Sequence, residues 1–226
     1  MLKKITTVGD SSIICDFGEN VDLNTNSQVI KLFYYIKDLA ETEKLKGLLN
    51  YTPSYNKLLI NFNLENVKAN EIIEKIKSVD LFKVPTNIQS KNHIIPICYD
   101  EEFALDFQLM ETKLNLNFSE ITQIHSETIF FVYMLGFIPG HPYMGDMDKK
   151  LHLSRIPSPR LRVPKGSIGL AEKFCNVYTF EAPGGWNIIG KTPLDFFNIE
   201  EDSPSILTPG DTVKFESIKK SEMNNL

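Results

Sequence analysis

Helical periodicity stops at Thr128. From there the chain alternates short apolar runs, I-F-F-V-Y-M-L, V-P-K-G-S-I-G-L, N-V-Y-T-F, W-N-I-I-G and T-V-K-F-E-S-I, with joints rich in Pro and Gly. Pro cannot continue a helix and Gly weakens one, so short apolar runs punctuated this way favour many short strands in a closed or strongly curved sheet. The pattern by itself does not separate a barrel from a sandwich.

The first third reads differently. Lys4 to Val8 and Ser12 to Phe17 are strand-like runs around the turn G-D-S, with Ile13 and Cys15 on one face. Val29, Leu32, Phe33, Ile36 and Ala40 then recur at helical spacing, with Asn26 or Ser27 expected as the N-cap. Leu48 to Tyr51 and Lys57 to Phe62 read as two further strands, and Ile72, Ile73, Ile76 and Val79 as a second helical stripe. The predicted order is ββαββα. Around V-P-T-N-I-Q-S-K-N the sequence turns polar and aperiodic, so the chain is divided near Gln89 into residues 1–88 and 89–226. Beyond the cut, His93 to Tyr99 is a predicted strand, Phe103 to Leu114 a predicted helix, and Ser119 the expected cap of a short helix through Ile124. The fold class is α+β.

With 42% hydrophobic residues, 226 residues can bury a sizeable core. A net charge of −5 with interspersed lysines and acids argues against nucleic-acid binding, which needs a clustered basic face. No apolar run approaches the ~20 residues that span a bilayer, and the N-terminus lacks a signal-peptide pattern, so a cytoplasmic location and no membrane association are expected. Three widely spaced cysteines, Cys15, Cys98 and Cys175, do not form a disulfide framework; Cys15 and Cys98 read as buried thiols.

The densest candidate surface lies between Leu135 and Thr192, where L-G-F-I-P-G-H-P-Y-M-G, P-S-P-R-L-R-V-P-K-G-S-I-G and A-P-G-G-W-N-I-I-G-K-T-P set aromatic and basic side chains among backbone-fixing residues. Tyr143, Arg160, Arg162 and Trp186 are taken as a substrate-binding or subunit-interface surface. Strand alternation would put Arg160 and Arg162 on one side, where two guanidiniums attract a carboxylate or phosphate; Arg155 precedes them. Pro139 and Pro142 stiffen a loop presenting His141 and Tyr143, and that loop serves equally as a pocket mouth or a rigid turn. His125 and His152 read as hydrogen-bonded structural histidines, since neither shows a partner in sequence. The catalytic residues are unassigned and no metal site is indicated. Gly185 to Thr192 literally satisfies G-x-x-x-x-G-K-[ST], the phosphate-binding P-loop, yet W-N-I-I is bulky and strand-like and Pro193 follows, so the match is read as accidental.

These three clusters, together with G-D-S-S-I-I-C-D-F-G, I-P-I-C-Y, I-H-S and L-T-P-G-D-T-V-K-F-E-S-I, make nearly the whole chain resemble the family of 5-oxoprolinase B subunits, also called KipI or allophanate hydrolase subunit 1. The resemblance implies a small N-terminal α+β domain followed by a cyclophilin-like β-barrel. It further implies a component of an ATP-dependent complex that opens 5-oxo-L-proline to L-glutamate, with the A and C subunits of 5-oxoprolinase as partners and ATP with magnesium used by the complex. Two alternatives carry the same motifs: an inhibitor that binds a sporulation histidine kinase, and an allophanate hydrolase or urea carboxylase component. Set against the family pattern, His141 stands where Phe is usual, Lys191 where Arg is usual, and Lys173 to Asn176 replaces a small polar loop. A prolyl isomerase is not inferred from a barrel alone, because a fold does not carry an active site with it.

Overall fold

The computed structural model describes residues 2–84 and 90–223. The chain forms two compact units, Met1–Ser90 and Lys91–Leu226. The division expected near Gln89 falls outside the described residues.

The first unit runs β1 (Lys4–Val8), β2 (Ser12–Asp16), α1 (Leu23–Glu41), β3 (Leu48–Pro53), β4 (Lys57–Phe62), α2 (Ala69–Ser78). Its antiparallel sheet has the order β1-β2-β4-β3. Period-two alternation turns Ile13, Cys15, Leu58, Ile60 and Phe62 to one face, where they pack with Val29, Leu32 and Ile36 of α1 and Ile72 and Ile76 of α2. Helix α1 begins earlier than the apolar stripe indicated: Asp22 is the N-cap, its carboxylate accepting from the Thr25 N–H at 2.8 Å. Asn26 is instead buried, its amide donating to the Ser54 and Tyr55 carbonyls at 3.0 and 2.9 Å.

The second unit runs β5 (Asn92–Ile97), α3 (Phe107–Leu114), α4 (Phe118–Glu127), β6 (Ile129–Leu135), β7 (Pro142–Gly145), β8 (Arg160–Val163), β9 (Ser167–Ala171), β10 (Phe174–Val177), β11 (Ala182–Gly184), β12 (Asn187–Lys191), β13 (Thr212–Ser217). Seven strands form one sheet in the order β12-β9-β10-β7-β6-β13-β5, with β13 and β5 parallel and the other pairs antiparallel. The two ends of that order meet. Cys98, following β5, donates its N–H to Lys191 O at 2.8 Å and accepts from Lys191 N at 3.0 Å, so the sheet closes on itself. A Cβ on Gly190 would stand 2.6 Å from the Cys98 carbonyl, which is why glycine occupies the seam. Ile95, Ile97, Phe130, Val132, Met144, Ile168, Leu170, Val177, Ile189 and Phe215 fill the interior. Closure removes the exposed edges an open sheet would carry. Strands β8 and β11 pair separately as a two-stranded ribbon.

Two helix starts differ from expectation. Helix α3 opens at Phe107, because Phe103 and Ala104 bond back to the Asp100 carbonyl in a turn. Helix α4 is capped by Asn117, which accepts from Glu120 N at 2.9 Å while the Glu120 carboxylate accepts from Asn117 N at 2.8 Å; this reciprocal capping box displaces Ser119 into the first turn.

Candidate functional site

The β6–β7 connection is a tight loop, with Gly136 N donating to His141 O at 3.0 Å and His141 N to Ile138 O at 3.1 Å. Gly140 takes φ +71° against Phe197, where a Cβ would come within 3.0 Å. Phe137 also sits at φ 75°, a conformation that costs a non-glycine residue roughly 1–3 kcal/mol and is held only where the surroundings enforce it. The loop thereby turns His141 inward, leaving it 1% exposed.

There His141 lines a cavity of about 110 Å³ with Tyr143, Arg155, Asn176, Tyr178 and Trp186. At about 30 Å³ per water this holds on the order of four waters, the scale of a small organic acid or amide. Aromatic rings enclose the imidazole: Tyr143 at 5.2 Å, Tyr178 at 5.3 Å and Phe137 at 5.5 Å between centroids. Tyr143 meets Trp186 edge-on at 5.9 Å, and the Arg155 guanidinium lies 5.7 Å from the Trp186 ring centre. Arg155 is exposed and forms no ion pair with another described residue. It is a cation at the mouth of the pocket, steadied by an aromatic face.

Burial pushes the His141 pKa down to about 4, so the ring is neutral at pH 7. Asn176 donates its amide N–H to His141 Nε2 at 3.2 Å, which fixes the imidazole proton on Nδ1. Neither that Nδ1 nor Asn176 Oδ1 has a hydrogen-bond partner among the described residues. Each buried orphan costs about 1–3 kcal/mol. Burial also raises the Tyr178 hydroxyl, opposed by the Asn176 amide, by Arg155 and by the Trp186 N–H. Burial raises Tyr143 as well, with Arg155 opposing. Both phenols therefore stay protonated. A methyl at Gly184 would overlap the Tyr178 hydroxyl, so the approach of β11 to this wall requires glycine.

Of the residues singled out in sequence, the structure brings Tyr143 and Trp186 together in this wall and does not place Arg160 and Arg162 beside them as a paired anion site. Arg160 is turned in to Asp106, bonding both carboxylate oxygens at 2.9 and 2.6 Å, and Asp106 accepts in addition from Ile188 N at 2.7 Å. Arg162 points to solvent with Glu181 at 3.6 Å. Alternation along β8 is real, but a buried acid far away in sequence claims one of the two guanidiniums. Asn176 was seen in sequence only as part of an altered loop; it lies in β10, so Cys175 faces the barrel core while its neighbour faces the cavity. No sequence signal marked Asn176 as a wall residue, because its partner His141 comes from a strand that pairs with it only in the folded barrel.

The other candidates resolve structurally. His125 is fully buried in α4, with Tyr99 OH 2.8 Å from Nδ1 and Cys175 Sγ 3.6 Å from Nε2. Burial drops the His125 pKa to about 3 and lifts Cys175 far above its ordinary value, so this is not an activated thiol. His152 donates from Nε2 to the Met147 carbonyl at 3.1 Å. The G-x-x-x-x-G-K-T segment forms strand β12 with Asn187, Ile188 and Ile189 buried, leaving no loop of N–H groups to wrap a phosphate. Lys191 instead faces a wider cleft of about 660 Å³ that also receives Lys165 and Lys220.

Residues 3–207 match the family model described as carboxyltransferase domain, subdomain C and D. The chain is 32% identical over 230 residues to the 5-oxoprolinase B subunit of Bacillus subtilis, covering 97% of this chain and 94% of that one. Among solved structures, TTHA0988 superposes with a TM-score of 0.80 at 26% identity; the match covers 92% of this chain but only 40% of that larger protein. A conserved uncharacterized protein of Pyrococcus horikoshii, PH0987, matches with a TM-score of 0.58 at 34% identity over 97% of this chain and all of that one, 100%. No helix among the described residues is long and apolar enough to cross a membrane. A match over nearly the whole length to the family model and to its 5-oxoprolinase representatives establishes that this chain belongs to the carboxyltransferase subdomain C and D family, among the 5-oxoprolinase B subunits.

Proposed function

We propose that this chain is the B subunit of an ATP-dependent 5-oxoprolinase, working in the cytoplasm with the A and C subunits to open 5-oxo-L-proline to L-glutamate. The observation that carries the reading is the likeness to 5-oxoprolinase B subunits over essentially the full length of both chains. The pocket supports it: a cavity of about 110 Å³ with a free cation at its mouth and uncharged polar groups inside suits a small cyclic amide bearing a carboxylate.

A lactam is a resonance-stabilised amide, and ATP supplies the driving force for its opening in the complex. Strand β12 does not fit an ATP phosphate chain, so nucleotide binding is assigned to a partner subunit. This chain contributes binding and orientation. Arg155 attracts the substrate carboxylate, Tyr143 and Trp186 form the apolar wall, and the neutral His141 and Asn176 meet the polar edge of the ring.

The test is co-purification of the chain with the A and C subunits, followed by an assay of ATP-dependent glutamate release with the chain present and omitted. Dependence on the chain is expected. Full activity without it would overturn the reading, and tight binding to a histidine kinase dimerisation domain in its place would assign the chain a regulatory role.

A further inference from the structure

The cavity holds one unsatisfied donor beside one unsatisfied acceptor. His141 Nδ1 carries a hydrogen and Asn176 Oδ1 offers lone pairs; both residues are at most 1% exposed, both line the same 110 Å³ space, and neither atom has a partner among the described residues. They are also tied to each other through Asn176 Nδ2 and His141 Nε2 at 3.2 Å, so their spacing is fixed and the direction of the donor is set.

The complement of such a pair is a group that shows an acceptor and a donor along one edge. A trans amide cannot, since its C=O and N–H point in opposite directions, and open-chain secondary amides are almost always trans. A small lactam is held cis by its ring and presents both on the same side. The rings of Tyr143, Tyr178 and Phe137 around the imidazole leave space for a flat apolar body, and Arg155 places a cation at the mouth.

We infer that His141 and Asn176 form a cis-amide reader, His141 Nδ1–H donating to a lactam carbonyl and Asn176 Oδ1 accepting the lactam N–H, while Arg155 holds a carboxylate on the same ring. The identity of the ligand as 5-oxo-L-proline rests on the function proposed above; the selectivity for a cis amide rests on the pocket. Linear acyl amides, including those of peptide chains, are excluded by geometry before size is considered. His141 acts here by binding and orienting, and the aromatic cluster remains intact when Phe takes its place.

Trp186 is the single tryptophan and part of the cavity wall, so its emission reports occupancy. The full chain, alone and assembled with the A and C subunits, is titrated with 5-oxo-L-proline, with the lactone carboxylate in which ring oxygen replaces the N–H, and with 2-pyrrolidinone, which lacks the carboxylate. Calorimetry repeats each titration. The lactone is expected to bind at least about tenfold more weakly than the lactam, because Asn176 Oδ1 then faces another acceptor. His141→Phe should weaken the lactam about tenfold, and Arg155→Ala should weaken 5-oxo-L-proline by at least about tenfold while leaving 2-pyrrolidinone unchanged. Equal affinity for lactam and lactone, unchanged lactam binding by His141→Phe, or no binding by either method in either preparation would overturn the inference. Should His141→Phe fail to fold, the lactam-to-lactone ratio of the wild-type chain decides alone. Selective lactam binding with glutamate release independent of the chain would remove the role in 5-oxoprolinase and leave the reader standing; chain-dependent release without selective binding would do the reverse.

Discussion

Replacing His141 by Phe should remove a specific part of the acid sensitivity of the barrel. In the folded chain His141 is neutral with its pKa pushed down to about 4 by burial, whereas in the unfolded chain an ordinary histidine protonates near 6.5. Between these values the unfolded state binds the extra proton, so the stability that the neutral ring contributes is complete above about pH 6.5, falls as pH drops, and is fully lost by about pH 4. At about pH 5 the loss is (6.5 − 5.0) × 1.36, or about 2 kcal/mol, and over the whole window about 3 kcal/mol. The titratable or charged groups beside the ring are Tyr143, Tyr178 and Arg155; the two phenols are raised by burial and none of the three changes charge across this window. Urea unfolding followed by Trp186 emission reports the barrel unit. With a slope of about 2 kcal/mol per molar urea, moving from about pH 7.5 to pH 5 should lower the wild-type midpoint by roughly 1 M more than it lowers that of His141→Phe. Other groups titrate in both proteins and cancel in the comparison. Equal losses would mean that His141 is protonated or solvated in the folded chain, and the donor assigned to Nδ1 would fall with it.

Three further outcomes follow from particular contacts. Asp106→Ala strands the Arg160 guanidinium and the Ile188 N–H, so the barrel should lose about 3–5 kcal/mol by urea unfolding; a loss below about 1 kcal/mol would show that the pair is solvated. Gly184→Ala drives a methyl into the Tyr178 hydroxyl and should destabilise by about 1–3 kcal/mol while weakening 5-oxo-L-proline binding; wild-type behaviour in both assays would contradict the packing of β11 on that wall. Lys191→Gln should leave the ATP dependence of glutamate release within about twofold of wild type, because its segment is a strand and not a phosphate loop; a large rise in the KM for ATP would restore the nucleotide reading.

What the sequence made legible follows from which forces are local. The ββαββα order of the first unit is written in alternation and helical stripes, since each of those elements turns its apolar residues to one side of one sheet. The strand-rich character after Thr128 is equally local, carried by Pro and Gly between short apolar runs. Caps were less readable. Asp22 and Asn117 took the roles expected of Asn26 or Ser27 and of Ser119, because several capping residues lay within a few positions of each other and only the tertiary use of Asn26 separates them. Barrel closure depends on a pairing between Cys98 and Lys191, which no periodicity announces. The site was half visible: Tyr143 and Trp186 stood out by residue type and loop context. Arg160 stood out for the same reason, but its charge is consumed by Asp106, a residue that reads in sequence as an ordinary helix-start acid. The chemistry assigned to His141 depends on Asn176, its neighbour only through the β7–β10 register.

The most direct measurement is the KM for 5-oxo-L-proline of the complex assembled from the A and C subunits with this chain carrying Arg155→Ala. A rise of at least about tenfold in that KM is expected, with the KM for ATP unchanged, since Arg155 holds the substrate carboxylate and touches no nucleotide. An unchanged KM for 5-oxo-L-proline in an active complex would place the substrate outside this pocket and contradict the role assigned to it.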